Sequence, residues 1–213
     1  MLRVAVMQPY FFPYAGYFRL FDQVDHFVIF DCVQFPRSGR VHRTQVPAPN
    51  GGVEWLTLPL LAQPRSTLIR NCRFSTDARA RFDERLRRLA WISAAAGPLA
   101  GRVRGLLRAP LESVIDYVEE SVRLVAGALG YATPISRSSA LEIDPELRGQ
   151  RRVIAVASAL GATHYVNAAG GRALYDRATF ARAGIDLSFV PPYDGPHRLL
   201  LPALMTLAPH ELR

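Results

Sequence analysis

Polar side chains suited to chemistry follow two apolar runs near the beginning of the chain. Gln8 comes directly after the run Leu2–Met7, and Asp31-Cys32-Val33-Gln34 follows the run His26–Phe30. Short apolar runs that end at turn-forming residues are typical of buried strands. Open α/β sheets bind ligands beyond the carboxyl ends of their strands. The spacing therefore predicts a site built from Gln8, Asp31, Cys32 and Gln34.

Acid–base and nucleophilic chemistry both have candidates among these residues. Asp31 is embedded in apolar sequence, where a carboxylate is costly unless something pairs with it, and Arg43 is its natural partner or a substrate clamp. His42 is a candidate general base near neutral pH. Cys32 is a candidate nucleophile that His42 or His26 would activate while Asp31 orients the imidazole. The alternative is a small buried thiol with no chemical role.

Two turns carry the candidate substrate-binding residues. The first turn runs from Gln8 to Gly16. In it, Tyr10, Pro13 and Gly16 would form the floor of a binding site. The alternative is that its aromatic residues simply fill the core. In the second, Gly170 and Gly171 would let backbone amides approach an anion, although a Gly-Gly pair is also a plain turn. Ser138-Ser139 and Arg151-Arg152 are further polar candidates whose simplest interpretation is structural.

The elements that position these residues alternate between strand and helix. The first strand is followed by an amphipathic stretch from Tyr17 to Val24 that predicts a helix. The C-terminal third shows a helix–strand–turn–helix–strand order that favours parallel pairing. A turn at 47–52 separates two segments that predict a hairpin. Residues 76–91 and 111–129 predict two helices. We expect an α/β fold with a mixed, mainly parallel sheet flanked by helices, and with an inserted helical pair in the middle.

Length and composition limit the classes of function. The 213 residues fit one domain, 1–213, with the helical segment of about 76–130 packed on it. All 26 basic residues counted as Lys+Arg are arginine, which excludes a Schiff-base lysine and a Walker-type lysine on this chain. The formal charge of +8 suits acidic substrates, nucleotides or acidic partner proteins, or else reflects a GC-rich coding sequence.

The remaining composition predicts no metal site, no membrane insertion and a cytoplasmic location. Cys32 and Cys72, the two cysteines, are expected as free thiols and supply too few ligands for structural zinc. No window approaches the roughly 18 consecutive apolar residues of a spanning helix. Nucleic acid is not an expected partner, because the arginines are dispersed and no recognised motif accompanies them.

The chain resembles the WbqC-like family over nearly its whole length. The residues that carry the resemblance are Met7–Phe18, Asp25–Phe35, Trp55-Leu56-Thr57-Leu58-Pro59, Gly161-Ala162-Thr163-His164-Tyr165, Gly170-Gly171 and Tyr175. Family members commonly have Asp or another polar residue where this chain has Cys32, and Asn where it has His42. The resemblance weakens from Tyr193 onward, where the chain is abbreviated and diverged.

The resemblance implies a transferase of surface-polysaccharide or natural-product biosynthesis. Such an enzyme would move an acyl or aminoacyl group, glycyl among them, from the phosphopantetheine thioester of an acyl carrier protein onto an amine such as that of an amino sugar. No other cofactor is expected. Asp31 or His42 would be the base, Gln8 and backbone amides the oxyanion donors, and Arg43 the anchor for a phosphate or carboxylate.

Two alternatives remain open from the sequence. A strand, a Pro-containing turn and a helix near the N-terminus also suit a nucleotide- or nucleotide-sugar-binding transferase, but the histidines which such enzymes place at that turn are absent. The other alternative is a non-catalytic binding module of a biosynthetic complex, with the aromatic turn as its interaction patch.

Overall fold

The main sheet has five parallel strands, and its central strand has the apolar sequence that suits a strand covered on both faces. The computed structural model describes residues 1–212. The strands are β1 (Arg3–Met7), β2 (His26–Ile29), β5 (Ile135–Arg137), β6 (His164–Asn167) and β7 (Asp186–Phe189). They lie in the order β5-β2-β1-β6-β7, and every neighbouring pair is parallel. Val4, Ala5 and Val6 of the central strand are fully or almost fully buried, as expected of a parallel sheet.

The chain folds into two structural units. The sheet unit consists of Met1–Gln8, Gly16–Cys32 and Tyr131–Asp194. The helical unit consists of Pro9–Ala15, Val33–Gly130 and the chain from Gly195 onward. Each unit is therefore assembled from stretches that are separated in the sequence.

Helices and aromatic rings cover the two faces of the main sheet. On one face, Val153, Val156 and Ala157 of α6 (Gly149–Ala159) and Phe180 of α7 (Arg177–Arg182) join a core with Val4, Val6 and Val28. Asp176 starts α7 as its N-cap by accepting a hydrogen bond from the Thr179 amide at 2.9 Å. On the other face, the Phe21 ring stacks on Phe27 with 4.4 Å between ring centroids. These layers hold the strand ends in fixed positions.

The helical unit combines a hairpin with a set of helices. The hairpin pairs β3 (Arg43–Pro47) with β4 (Val53–Thr57) in antiparallel register. The helices that lie in the unit are α2 (Ala78–Arg88), α3 (Ala90–Ala94), α4 (Ala100–Arg108), α5 (Val114–Ala128) and α8 (Leu200–Thr206). The Ser113 hydroxyl caps α5 by accepting from the Asp116 amide at 3.4 Å. The core of the unit includes Phe11, whose ring lies 6.2 Å from that of Phe82 and 6.0 Å from that of Tyr117.

Phe12 adopts a backbone conformation that is rare for a bulky residue. Its φ is 42°, in the left-handed region, although the side chain is almost fully buried. Its N–H donates to the Ser121 hydroxyl at 3.2 Å, and its carbonyl accepts from the Thr44 hydroxyl at 2.9 Å. These two buried hydrogen bonds hold the strained residue within the first turn.

The predicted fold class is confirmed, with several boundaries corrected. The main sheet is wholly parallel, and the antiparallel pair forms a separate sheet. The expected helix from Tyr17 to Val24 is limited to α1 (Ala15–Phe18). Two shorter helices, α3 and α4, connect the two long ones within residues 76–130. The assignment of 1–213 to one domain stays a prediction.

Candidate functional site

Several of the predicted residues lie where the parallel strands end, which we call the carboxyl edge of the sheet. The chain passes from β1 to β2 on one side and later to β6 on the other, so the strand order reverses between β1 and β6. Such a switch point is where open α/β sheets bind ligands. Gln8 follows β1, Asp31 lies two residues beyond the end of β2, and Gly170-Gly171 lies in the turn after β6.

Asp31 is the centre of a buried polar cluster. The carboxylate is fully buried, and its Oδ1 accepts from the Ser138 hydroxyl and the Ser139 backbone N–H, both at 2.9 Å. Its Oδ2 accepts from the Ser139 hydroxyl at 2.5 Å. Both serines follow β5, the strand next to β2, so three donors satisfy a carboxylate that would otherwise be costly to bury. Asp31 therefore ties together the carboxyl ends of two neighbouring strands.

Cys32 extends this cluster to α6. Its Sγ lies 2.9 Å from the Ser138 hydroxyl oxygen and accepts from Arg152 Nε at 3.2 Å. The Arg152 side chain is almost completely buried, and its Nη1 donates to the carbonyls of Asp144, Pro145 and Leu147 at 3.3–3.4 Å. A chain of polar contacts therefore runs from Ser139 through Asp31, Ser138 and Cys32 to Arg152. Cys32 and Cys72 are both free and buried.

The geometry contradicts one version of the proposed cysteine activation. His26 is the first residue of β2, at the amino end of the strand, and its Nε2 lies 2.7 Å from the Ser136 hydroxyl oxygen. Cys32 lies beyond the carboxyl end of the same strand. Three strand steps from His26 to Ile29 already span about 10 Å. His26 therefore does not activate Cys32, and Asp31 is bonded to serines instead of orienting this imidazole.

Gln8 lies at the switch point with its side chain available. Its backbone carbonyl accepts from the Tyr17 hydroxyl at 3.1 Å, which fixes the turn after β1. Within residues 1–212, no hydrogen bond uses the Gln8 side-chain amide. The amide thus keeps both its donor and its acceptor for a ligand. Gly16 begins the part of the sheet unit that follows this turn.

Gly171 is required by close packing after β6. A Cβ at this position would lie 2.6 Å from the side-chain Nδ2 of Asn167 and 3.2 Å from Cε2 of Tyr175. Asn167 is almost fully buried, and its Oδ1 accepts from the Ala168 amide at 2.7 Å. Gly170, in contrast, faces open space. The pair therefore has a packing role at Gly171, while an anion-binding role stays a prediction.

The other predicted residues lie in the helical unit. Arg43 donates from Nε to the Gly39 carbonyl at 2.9 Å and from Nη2 to the Ser38 carbonyl at 2.5 Å, and its guanidinium lies 4.3 Å from the Trp55 ring centroid. It is therefore anchored within its own unit. Gln34 Nε2 donates to the Arg65 carbonyl at 2.7 Å. Their roles as substrate contacts stay predictions.

His42 and Tyr10 are titratable groups of the same unit. Burial, reinforced by the guanidinium groups of Arg43 and Arg85, lowers the pKa of His42 to about 4, so the imidazole is neutral at pH 7. Its Nδ1 is buried without a hydrogen-bond partner among the described residues. Burial raises the pKa of Tyr10, and Pro13 belongs to the same turn.

Ser138, Ser139 and Arg152 belong to the buried polar cluster around Asp31 and Cys32, a role that the sequence did not predict. The sequence marked them only as polar candidates, because a serine pair and an arginine pair carry no motif. The preceding strand gave little help, because β5 (Ile135–Arg137) has only one apolar residue. Arg152 lies next to Val153 on the buried side of α6, where a guanidinium needs partners.

Neither a metal-binding cluster nor a membrane-spanning helix is present in residues 1–212. No group of three or more His, Cys, Asp and Glu side chains in this range is placed to hold a metal ion. Over the same residues, no helix combines the length and apolar character needed to cross a membrane.

Comparison with known proteins places this α/β chain in a family. A sequence model of the WbqC-like protein family matches residues 8–197, and the chain belongs to that family. An uncharacterized protein of Mycobacterium tuberculosis, Rv1507c, is 32% identical over 65 residues. That alignment covers 30% of this chain and 28% of the relative's length. No solved structure matches the chain.

Proposed function

We propose that this protein is a biosynthetic acyl or aminoacyl transferase. It would form an amide from the thioester of an acyl carrier protein and an amine such as that of an amino sugar. The observation that carries the proposal is the carboxyl edge of the sheet, where the unengaged Gln8 amide follows β1 and the Asp31 cluster follows β2. Membership of the WbqC-like family supports the same assignment.

The reaction needs positioning and charge stabilisation more than strong activation. The amine nitrogen attacks the thioester carbonyl, the nitrogen loses a proton, the C–S bond breaks, and the departing thiolate takes up a proton. Gln8 would donate to the carbonyl oxygen as it becomes an oxyanion, a contribution typically worth about 10²–10³ in rate. Because Asp31 is buried, it would receive the amine proton by way of the half-buried Ser139 hydroxyl.

The electrostatics suit an acidic protein donor. The formal charge of +8 resides on arginine, whose planar guanidinium pairs with carboxylate and phosphate in two-point contacts. A carrier protein that presents acidic side chains and a phosphopantetheine phosphate supplies both partner groups. Association would then be faster at low ionic strength.

The test is amide formation with purified protein, an acyl-carrier thioester and a panel of amines. Free thiol and amide product are measured together, so that plain hydrolysis is distinguished from transfer. Asp31→Asn and Gln8→Ala should each reduce transfer at least about 10²-fold. Asp186→Asn is the matched control, because its carboxylate is 80% exposed at the amino end of β7. Wild-type rates in Asp31→Asn and Gln8→Ala would show that the site assignment is wrong.

A nucleotide- or nucleotide-sugar-binding transferase is the second candidate. The strand-order reversal between β1 and β6 favours it, because mononucleotide-binding sheets use the same kind of crevice. Calorimetric titration with nucleoside triphosphates and nucleotide-sugars separates the two functions. Heat that disappears in Gln8→Ala would favour this candidate, and no heat with any nucleotide would remove it. A non-catalytic binding module would show neither nucleotide heat nor amide formation.

A further inference from the structure

A pocket in the helical unit lies among α2, α3 and α4, and no residue assigned to the transfer lines it. Three arginines, Arg87, Arg104 and Arg108, are among the residues that line it, together with Ser93. Leu86, Ile92 and Leu107 supply an aliphatic surface next to these polar groups. The pocket therefore combines positive charge with apolar area.

The acidic residue of the pocket does not cancel this charge. Asp83 also lines the pocket, but its Oδ1 lies 2.6 Å from Nη2 of Arg79, one turn earlier on α2. Nη1 of Arg79 donates to the carbonyls of Leu107 and Ala109, both at 3.1 Å, so Arg79 is anchored in place. The pair Arg79–Asp83 is thus neutral by itself. Three arginine charges remain for a ligand.

Two of the three guanidinium groups are not committed to holding the helical unit together. Arg104 uses Nη1 to hold the end of α3 through the carbonyls of Ile92 and Ala95, at 3.2 and 2.7 Å. Arg87 is exposed and uses only Nε, in a long 3.4 Å hydrogen bond to the Asp83 carbonyl. Arg108 lies one turn after Arg104 on α4, and within residues 1–212 its side chain makes no hydrogen bond or ion pair. Arg87 and Arg108 are therefore the groups that can close on an anion.

We propose that this pocket binds a phosphate monoester that carries an apolar substituent next to the phosphate. A monoester is close to a dianion at neutral pH and offers three acceptor oxygens. Arginine matches phosphate oxygens in planar, two-point geometry, and Ser93 adds a neutral donor. The aliphatic wall would cover the substituent. This ligand class follows from the helical unit alone and goes beyond the transferase assignment.

Phenyl phosphate is the probe, because it joins a monoester dianion to an apolar ring. Binding is measured by calorimetry on the full-length protein at low ionic strength, with inorganic phosphate and benzoate as comparison ligands. Phenyl phosphate should bind more tightly than either, since inorganic phosphate lacks the ring and benzoate carries one charge. Arg87→Gln and Arg108→Gln should each weaken it roughly five- to tenfold.

The control is Arg102→Gln, because Arg102 is exposed on the same helix and does not line the pocket. It should leave the affinity for phenyl phosphate unchanged. Arg104 is left intact in all variants because it holds the end of α3. Equal weakening by Arg102→Gln and Arg108→Gln would overturn the proposal, since it would show attraction to general surface charge. Absence of measurable binding by the wild-type protein would also overturn it.

Discussion

Replacing Asp31 by alanine tests whether the buried cluster holds the carboxyl edge of the sheet together. The substitution removes the acceptor of three hydrogen bonds, two from serine hydroxyls and one from the Ser139 backbone N–H. The hydroxyls can turn toward other acceptors, but the backbone N–H cannot. A buried donor left unsatisfied costs about 1–3 kcal/mol, and hydrogen bonds to a charged group contribute about 1.5–3 kcal/mol each. Counting only the Ser139 N–H, which loses a hydrogen bond to a charged group and stays unsatisfied, we expect Asp31→Ala to lower the free energy of unfolding by about 3 kcal/mol.

Asp31→Asn should be much milder. Its Oδ1 can still accept from Ser138 and from the Ser139 N–H, and only the third hydrogen bond must reverse, with the Ser139 hydroxyl turning to accept from Nδ2. The expected loss is about 1 kcal/mol, the net value of one ordinary hydrogen bond. The two variants together distinguish the hydrogen-bonding role of the side chain from its charge.

The assay must report on the sheet unit. Trp55 and Trp91, the two tryptophans of the chain, both lie in the helical unit, so tryptophan fluorescence follows the wrong unit. Urea unfolding followed by far-UV circular dichroism, together with hydrogen exchange of β2 and β5 amides, avoids this problem. With a slope of about 2 kcal/mol per molar urea, a loss of about 3 kcal/mol lowers the midpoint by about 1.5 M. A midpoint shift for Asp31→Ala no larger than that of the exposed Asp186→Asn control would refute the reasoning.

Three further predictions concern packing, titration and backbone strain. Gly171→Ala should lower the free energy of unfolding by about 1–3 kcal/mol, because the added Cβ would lie 2.6 Å from a side-chain amide nitrogen. Gly170→Ala places its Cβ in open space and should leave the free energy of unfolding in urea nearly unchanged. His42 should titrate near pH 4 by NMR, because its pKa in the folded protein lies below the ordinary 6.5. The stability that the neutral imidazole contributes is therefore full above pH 6.5 and is lost as the pH falls toward 4. A pH-independent stability difference between wild type and His42→Gln would contradict this. Ser121→Ala should lower the free energy of unfolding by about 1–2 kcal/mol, because the buried N–H of Phe12 loses its acceptor. Unfolding followed by tryptophan fluorescence measures this change.

The sequence was informative wherever an apolar run ended at a polar residue. Gln8 and Asp31 were placed at the carboxyl ends of parallel strands, and the structure has them there. Local pattern suffices for this, because a buried parallel strand is apolar throughout and its end is marked by the first polar group or proline.

The partners of Asp31 were not predictable from the sequence in the same way. Arg43 was the natural choice on charge, but the observed donors are the two serines that follow β5, more than 100 residues later in the chain. Which strand lies beside β2 is decided by long-range packing. Serines carry no charge that would indicate a pairing, so spacing alone could not identify them. The role of Arg152 was not predicted for the same reason, since its contact with Cys32 depends on where α6 packs.

The fully hydrogen-bonded carboxylate of Asp31 also decides how the proposed chemistry can be tested further. A general base contributes about 10²–10⁴ in rate. If Asp31 acts by way of the Ser139 hydroxyl, Ser139→Ala should slow amide formation by nearly as much as Asp31→Asn. It should cost little stability, because the Ser139 N–H and the Ser138 hydroxyl keep their acceptor. Full activity in Ser139→Ala beside an inactive Asp31→Asn would mean that the carboxylate meets the amine directly. Equal, undiminished activity in both would leave Asp31 as a structural tie between β2 and β5 with no part in proton transfer.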